Sequence, residues 1–191
     1  MGLYKVLLVD DEEDIRVGIS RKMDWNGLGF ELVGEAENGR DALELAESVQ
    51  PDVGLTDIKM PFMDGLELCS ILTKRLPGSK FVVFSGFDDF EYAKQAVRMN
   101  VSEYILKPIN AAELSGVLQK LKEQLDAERT ERQNQETLRD RYEESLPVLR
   151  SLFLSRLLEG RVDRTEELAA RYDVDLSGPS LAAALVHIHA P

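Results

Sequence analysis

With 23 basic against 35 acidic side chains in 191 residues, the chain carries a formal charge of −12, which repels polyanions and argues against this segment gripping nucleic acid itself. Its 43% hydrophobic and 30% charged residues suit a soluble globular protein, no apolar run approaches membrane-spanning length, and the length exceeds what one small domain needs. The lone Cys69 rules out an intramolecular disulfide and fits a reducing cytoplasm, where such a thiol is a small core residue without a chemical role.

The first apolar run, Val6 to Val9, is too short for a secretory signal and runs straight into Asp10, Asp11, Glu12, Glu13 and Asp14, so it reads as part of a buried strand over Lys5 to Val9. Ile15, Ile19 and Met23 follow at helical spacing. A second strand is predicted over Phe30 to Ala36. Asn38-Gly39 then opens a helix bearing Ala42, Leu45, Ala46 and Val49, and Pro51 ends it. Val53 to Thr56 is the third strand. Asp64-Gly65 opens a helix carrying Leu66, Leu68, Ile71 and Leu72, closed by Pro77-Gly78. Lys80 to Ser85 and Glu103 to Leu106 complete five strands. Short apolar runs alternating with helical patterns over Tyr4 to Leu121 predict an α/β fold with a parallel sheet.

After Asn110, Leu114, Leu118, Leu121 and Leu125 keep a heptad-like spacing, and the densely charged stretch Asp126 to Glu144 predicts one long exposed helix. Glu128, Arg132 and Gln135 fall where a tight coiled-coil seam wants apolar side chains. A parallel pair, an antiparallel pair and packing back on the first domain all stay open. Pro147 must start a new helix or kink the old one. Leu181 to His189 looks like the opening strand of another domain, and because one strand cannot make a stable sheet, the chain is expected to be a fragment. The expected organisation is a first domain over 1–122, a helical or coiled-coil linker over 123–159, and the start of a truncated intermediate domain over 160–191.

In open parallel sheets, ligands bind beyond the carboxyl ends of the strands. Those ends carry Asp10 and Asp11, Asp57, Ser85 and Lys107. Three clustered carboxylates repel one another and are tolerable around a hard divalent cation, for which Mg2+ is suited. Phosphoryl transfer needs a placed nucleophile, a metal and donors for the equatorial oxygens. Asp57 would be the nucleophile and phosphoacceptor, Asp11 a direct metal ligand, Asp10 a ligand through water, Ser85 a hydroxyl donor and Lys107 the cationic partner. Each residue alone reads as a helix cap or part of a solvated acidic rim; their occurrence at successive strand ends favours the site.

The segments V-L-L-V-D-D-E, L-T-D-I-K-M-P-F-M-D-G, V-F-S-G and Y-I-L-K-P-I resemble the signature segments of the response-regulator receiver family, over about two thirds of the chain. The resemblance implies a flavodoxin-like (βα)5 receiver phosphorylated by a sensor histidine kinase, with its own aspartyl phosphorylation and dephosphorylation as its only catalysis. It also implies that the main-chain carbonyl of Lys59 joins Asp10, Asp11 and Asp57 at the metal, and that Lys107-Pro108 is cis. Ser85 and Tyr104 are implied as switch residues that reshape the face of the fourth helix, fifth strand and fifth helix. Lys59 and Phe87 would stand where the family tunes phosphate lifetime.

The run from Phe87 to Pro108, followed by a long charged helix and E-S-L-P-V-L-R, resembles YesN-type regulators with an AraC-type DNA-binding output. No basic recognition helix occurs here, so DNA would be reached only through a missing C-terminal domain. The resemblance implies a cytoplasmic transcription regulator that pairs as a homodimer through its helical linker.

Other signals carry less. Gly27 and Gly29 precede a strand and lack the third glycine of a dinucleotide fingerprint, so they read as a loop. Asp173, Asp175, Ser177 and Gly178 imitate a calcium loop, but Ala184 stands where a bidentate Glu is needed. His187 and His189 are two ligands short of a zinc site, and Asn100-Val101-Ser102 matters only in a secreted protein. The competing readings are a receiver acting only through protein contacts, a flavodoxin-like cofactor binder, and a magnesium-dependent aspartyl phosphatase. Against the last, Ile58-Lys59 follow Asp57 with no second Asp to act as acid and base.

Overall fold

The structure is a computed structural model, described here over residues 2–86 and 101–176. In chain order its elements are β1 (Tyr4–Val9), α1 (Glu13–Lys22), α2 (Trp25–Leu28), β2 (Phe30–Ala36), α3 (Gly39–Val49), β3 (Val53–Asp57), α4 (Gly65–Arg75), β4 (Lys80–Ser85), β5 (Glu103–Leu106), α5 (Ala111–Leu158) and α6 (Thr165–Arg171). The expected fourth helix lies outside the described residues, as do Phe87, Asn100, the Leu181 to His189 strand and the end of the calcium-like loop.

The five strands form one sheet in the order β2-β1-β3-β4-β5, every neighbouring pair parallel. Period-two alternation divides the core into two layers. Val6, Leu8, Leu55, Val82 and Phe84 pack on one face with Ile19 of α1 and Leu114, Leu118 and Leu121 of α5. Leu7, Val9, Phe81 and Val83 pack on the other with Ala42 and Ala46 of α3 and Leu66, Leu68 and Leu72 of α4. Both faces are covered, which is why the strands read as continuous apolar runs.

Helix starts follow the sequence signals. Asn38 and Asp64 are N-caps whose side chains accept from the main-chain N–H groups of Asp41 and Glu67. The Gly27–Gly29 stretch differs from the expected loop: Asp24 caps the short helix α2, and Gly29, at φ +88, closes it and turns the chain into β2. Cys69 is buried in α4, and burial pushes its thiol up to about 12, in keeping with an inert core residue.

The chain divides into compact units of residues 1–128 and 129–191. In the first, Leu114, Leu118 and Leu121 are fully buried and Leu125 nearly so, all within the sheet's own core. Packing back on the first domain is therefore what these four leucines do, and any pairing with a partner falls to the helix beyond them. Polar contacts extend the attachment past the expected boundary at 122. The Tyr4 hydroxyl donates to Asp126 Oδ1 at 2.7 Å, and Lys80 pairs with Glu128. Pro147 neither ends the helix nor starts another; α5 runs through it to Leu158.

In the second unit, Phe153 is buried and meets the ring of Tyr172 at 5.7 Å between centroids, and Ala169 of α6 is buried as well. Arg150 donates to Tyr172 O and pairs with Asp173. Asp173, the first residue of the calcium-like pattern, is thus engaged by a guanidinium.

Because Leu118 is core and Leu138 is 66% exposed, the two truncations should separate. Leu118→Ala is expected to lose about 2–5 kcal/mol in urea unfolding and Leu138→Ala no more than about 0.5 kcal/mol. Equal effects would mean that the first turns of α5 are not part of the core.

Candidate functional site at the carboxyl edge of the sheet

Because all five strands are parallel, their carboxyl ends lie along one edge. Asp10 and Asp11 follow β1, Asp57 ends β3, Ser85 ends β4 and Lys107 follows β5. The strand order turns back at β1, between β2 and β3, and Asp10 and Asp57 stand at that switch point. One ligand oxygen from each of Asp10, Asp11 and Asp57 lies within 4.8 Å of the others. Lys107 Nζ reaches Asp10 Oδ2 at 3.0 Å, Asp57 Oδ2 at 3.3 Å and Glu12 Oε1 at 3.3 Å. The five residues picked from strand ends therefore lie along one edge, and two of them, Asp10 and Asp57, meet the ammonium of a third, Lys107, with the Asp11 carboxylate beside them.

Asp10 is fully buried and Asp57 nearly so, whereas Asp11 is exposed. Burial pushes the carboxyls of Asp10 and Asp57 above the usual carboxylate value, although Lys107 pulls both downward. For Lys107 burial opposes the charge, but the two aspartates outweigh it and raise its affinity for the proton. Asp10 Oδ1 accepts from the Glu12 main-chain N–H at 3.0 Å, while Oδ2, beside the ammonium, has no hydrogen bond of good geometry. A buried carboxylate oxygen left in this state, facing two more carboxylates, fits a hard divalent cation held by oxygens. The donor set on Asp10, Asp11 and Asp57 is thus suited to magnesium.

Lys59 lies exposed in the bend after β3, two residues beyond Asp57. Ser85 is buried, and its hydroxyl donates to the Gly86 carbonyl at 3.1 Å. Tyr104 is half-buried in β5 against the layer that contains Val83. The Lys107-Pro108 peptide is cis.

Several contributors escaped the reading of the sequence. Glu12 pairs with Lys107, and Arg16 Nη1 donates to the Asp10 carbonyl at 2.6 Å. Thr56 Oγ1 donates to the Asp57 carbonyl at 2.9 Å, and the Gly65 N–H to Ile58 O at 2.9 Å, closing the loop behind Asp57. A Cβ on Gly65 would stand 1.9 Å from the Asp57 carbonyl oxygen, so only glycine permits this approach. Within the same loop Phe62 holds φ +68 with its ring exposed. Glu12, Thr56 and Gly65 lie within the signature segments of the sequence, but their spacing does not show these contacts.

The family model for the response regulator receiver domain matches residues 6–119. A transcriptional regulatory protein called YesN, itself described as uncharacterized, from Bacillus subtilis is 37% identical over 167 residues, covering 87% of this chain and 44% of its own length. HptR, a transcriptional regulatory protein of Staphylococcus aureus, is 34% identical over 119 residues, covering 62% of this chain and 46% of its own. Among solved structures, the REC domain of AraT, a response regulator from Geobacillus stearothermophilus, is 44% identical with a TM-score of 0.64, over 66% of this chain and 98% of that one. A two-component transcriptional regulator AraC from Clostridium phytofermentans gives 34% identity and a TM-score of 0.60, over 64% and 95%. The chain belongs to the response regulator receiver family, and it spans less than half the length of these curated relatives.

A carboxyl that holds its proton more tightly folded than unfolded costs stability wherever it is ionised. That cost is absent below the ordinary carboxylate range, where both states are protonated, and complete once the pH exceeds the raised folded value. With a chelator present, Asp10→Asn is therefore expected to raise the thermal midpoint at pH 7, with the gain fading as the pH falls through the carboxylate range. A lower midpoint for the variant at pH 7 would show that pairing with Lys107 outweighs burial.

Proposed function

We propose that Asp57 accepts a phosphoryl group from a sensor histidine kinase in a magnesium-dependent reaction, and that the receiver so modified controls a transcriptional output carried elsewhere in the full-length protein. The observation that carries this reading is Lys107 Nζ set between the buried carboxylates of Asp10 and Asp57, beside Asp11, at the switch point of a parallel sheet.

Phosphoryl transfer depends on placement and charge more than on covalent chemistry. Asp57, fixed from behind by its carbonyl contacts, would present a carboxylate oxygen to phosphorus; the bond from phosphorus to the donor nitrogen breaks as the new P–O bond forms, and the leaving imidazole keeps its electron pair and takes up a proton. Lys107 would neutralise charge on the transferred group. Asp10, Asp11, Asp57 and the Lys59 carbonyl would hold magnesium, whose charge offsets that of the phosphoryl oxygens. The Ser85 hydroxyl, now on Gly86 O, would exchange that acceptor for a phosphoryl oxygen, and Tyr104 on the neighbouring strand would be its partner in the switch.

The reading makes the chain a signalling switch and not a turnover enzyme, since no acid stands two residues beyond Asp57 to serve a phosphoester hydrolase. That YesN and HptR are named as transcriptional regulators supports the transcriptional output, and the −12 charge favours DNA contact by another segment. A homodimer would form through α5 beyond Leu125, where Leu138 and Tyr142 are exposed. The single thiol suits the cytoplasm, and among the described residues no helix is long and apolar enough to cross a membrane.

Incubation with magnesium and a small phosphodonor such as acetyl phosphate, read by intact mass and oligomer size, tests this. One phosphate-sized gain is expected in the wild type and none in Asp57→Asn, with a size shift if α5 reports by assembly. No gain by the folded wild type would remove Asp57 as phosphoacceptor, and multiple turnover of a generic phosphoester would point to the phosphatase.

A further inference from the structure

Among the described residues, Arg16 is engaged unusually for its surroundings. It shares a surface recess with Glu35, Glu37 and Asp41, yet no described carboxylate lies within ion-pair distance of its guanidinium. It donates instead to a main-chain oxygen, the Asp10 carbonyl, at 2.6 Å. Long side chains in a helix lie back toward its N-terminus. Arg16, on the first turns of α1, thereby reaches over the β1–α1 turn that carries Asp10, Asp11 and Glu12.

That carbonyl belongs to the peptide plane joining Asp10 to Asp11. The Asp10 N–H donates to Ala36 O at 3.2 Å and its Oδ1 accepts from Glu12 N at 3.0 Å, so with Arg16 on the carbonyl only Oδ2 is left facing the acidic centre. Asp11 is the reverse case: it is exposed, and its carboxylate makes no hydrogen bond among the described residues. Nothing but its backbone holds it. The orientation of the Asp10–Asp11 peptide, which Arg16 fixes, is therefore what sets where the Asp11 carboxylate stands relative to Asp10 and Asp57.

We propose that Arg16 is a positioning residue for the cation site, orienting the Asp10–Asp11 peptide so that both carboxylates converge with Asp57. The inference rests on the acidic edge holding a divalent cation. It has a distinctive sign: a guanidinium this near the site repels a cation, so a residue acting through charge alone would tighten binding when neutralised, whereas loss of positioning weakens it. Partners that orient metal ligands are typically worth about 10–100-fold in affinity.

Mg2+ binding to the whole chain is measured by titration calorimetry for wild type, Arg16→Met, Arg16→Lys and Asp11→Asn, with thermal melts in chelator to confirm folding. Arg16→Met is expected to bind Mg2+ at least about tenfold more weakly than wild type, with a metal-free midpoint close to wild type, and Arg16→Lys to recover part of the loss. Equal or tighter binding by Arg16→Met overturns the proposal while leaving the cation site standing, with Asp11→Asn as the non-binding control. No binding by the wild type overturns both. Should Arg16→Met fail to fold, Arg16→Lys decides: weaker Mg2+ binding than wild type supports the proposal, and unaltered affinity overturns it, because lysine keeps the charge but not the guanidinium's directed hydrogen bond.

Discussion

Two buried carboxylates, at the ends of β1 and β3, share one ammonium from the end of β5, and the rest of the first domain is arranged so that they can. Asp10 and Asp57 each lose solvation by lying where they do, and burial raises both of their proton affinities. Lys107 answers both at once, at 3.0 and 3.3 Å, yet leaves Asp10 Oδ2 without a well-formed hydrogen bond. The site thus holds more buried negative charge than its one ammonium satisfies.

That arrangement requires a parallel sheet. Only when all strands point one way do four carboxyl ends meet along one edge, and a parallel sheet needs helices on both faces to cover it. Ile19 of α1 and the leucines of α5 cover one face; α3 and α4 cover the other. The loop behind Asp57 is drawn tight by Thr56, Gly65 and Ile58, so the carboxylate is presented from a braced main chain.

The long helix joins two tasks. Its first turns are core, and Asp126 and Glu128 extend the attachment through Tyr4 and Lys80. Beyond them, residues 127–145 are exposed and densely charged. The same helix thus fills the sheet's core with its first turns and continues without a break to Leu158.

The strands were legible because each is an apolar run bounded by turn residues; Phe30 to Ala36, Lys80 to Ser85 and Glu103 to Leu106 have the bounds expected of them. The placement of Asp10, Asp11, Asp57, Ser85 and Lys107 along one edge was legible as well, since a strand end is a local feature. The fate of Leu114 to Leu125 was not. A heptad-like stripe says that a face will be buried but not against what, and only the folded sheet decides that the partner is its own core. The same holds for Arg16 on the Asp10 carbonyl, Glu12 on Lys107 and Gly65 against Asp57. By itself the sequence determined the elements, their order and the chemical kinds at the strand ends, through local periodicity and capping. The tertiary structure alone decided which groups touch and which carboxylates lose their water, because those depend on contacts between residues distant along the chain.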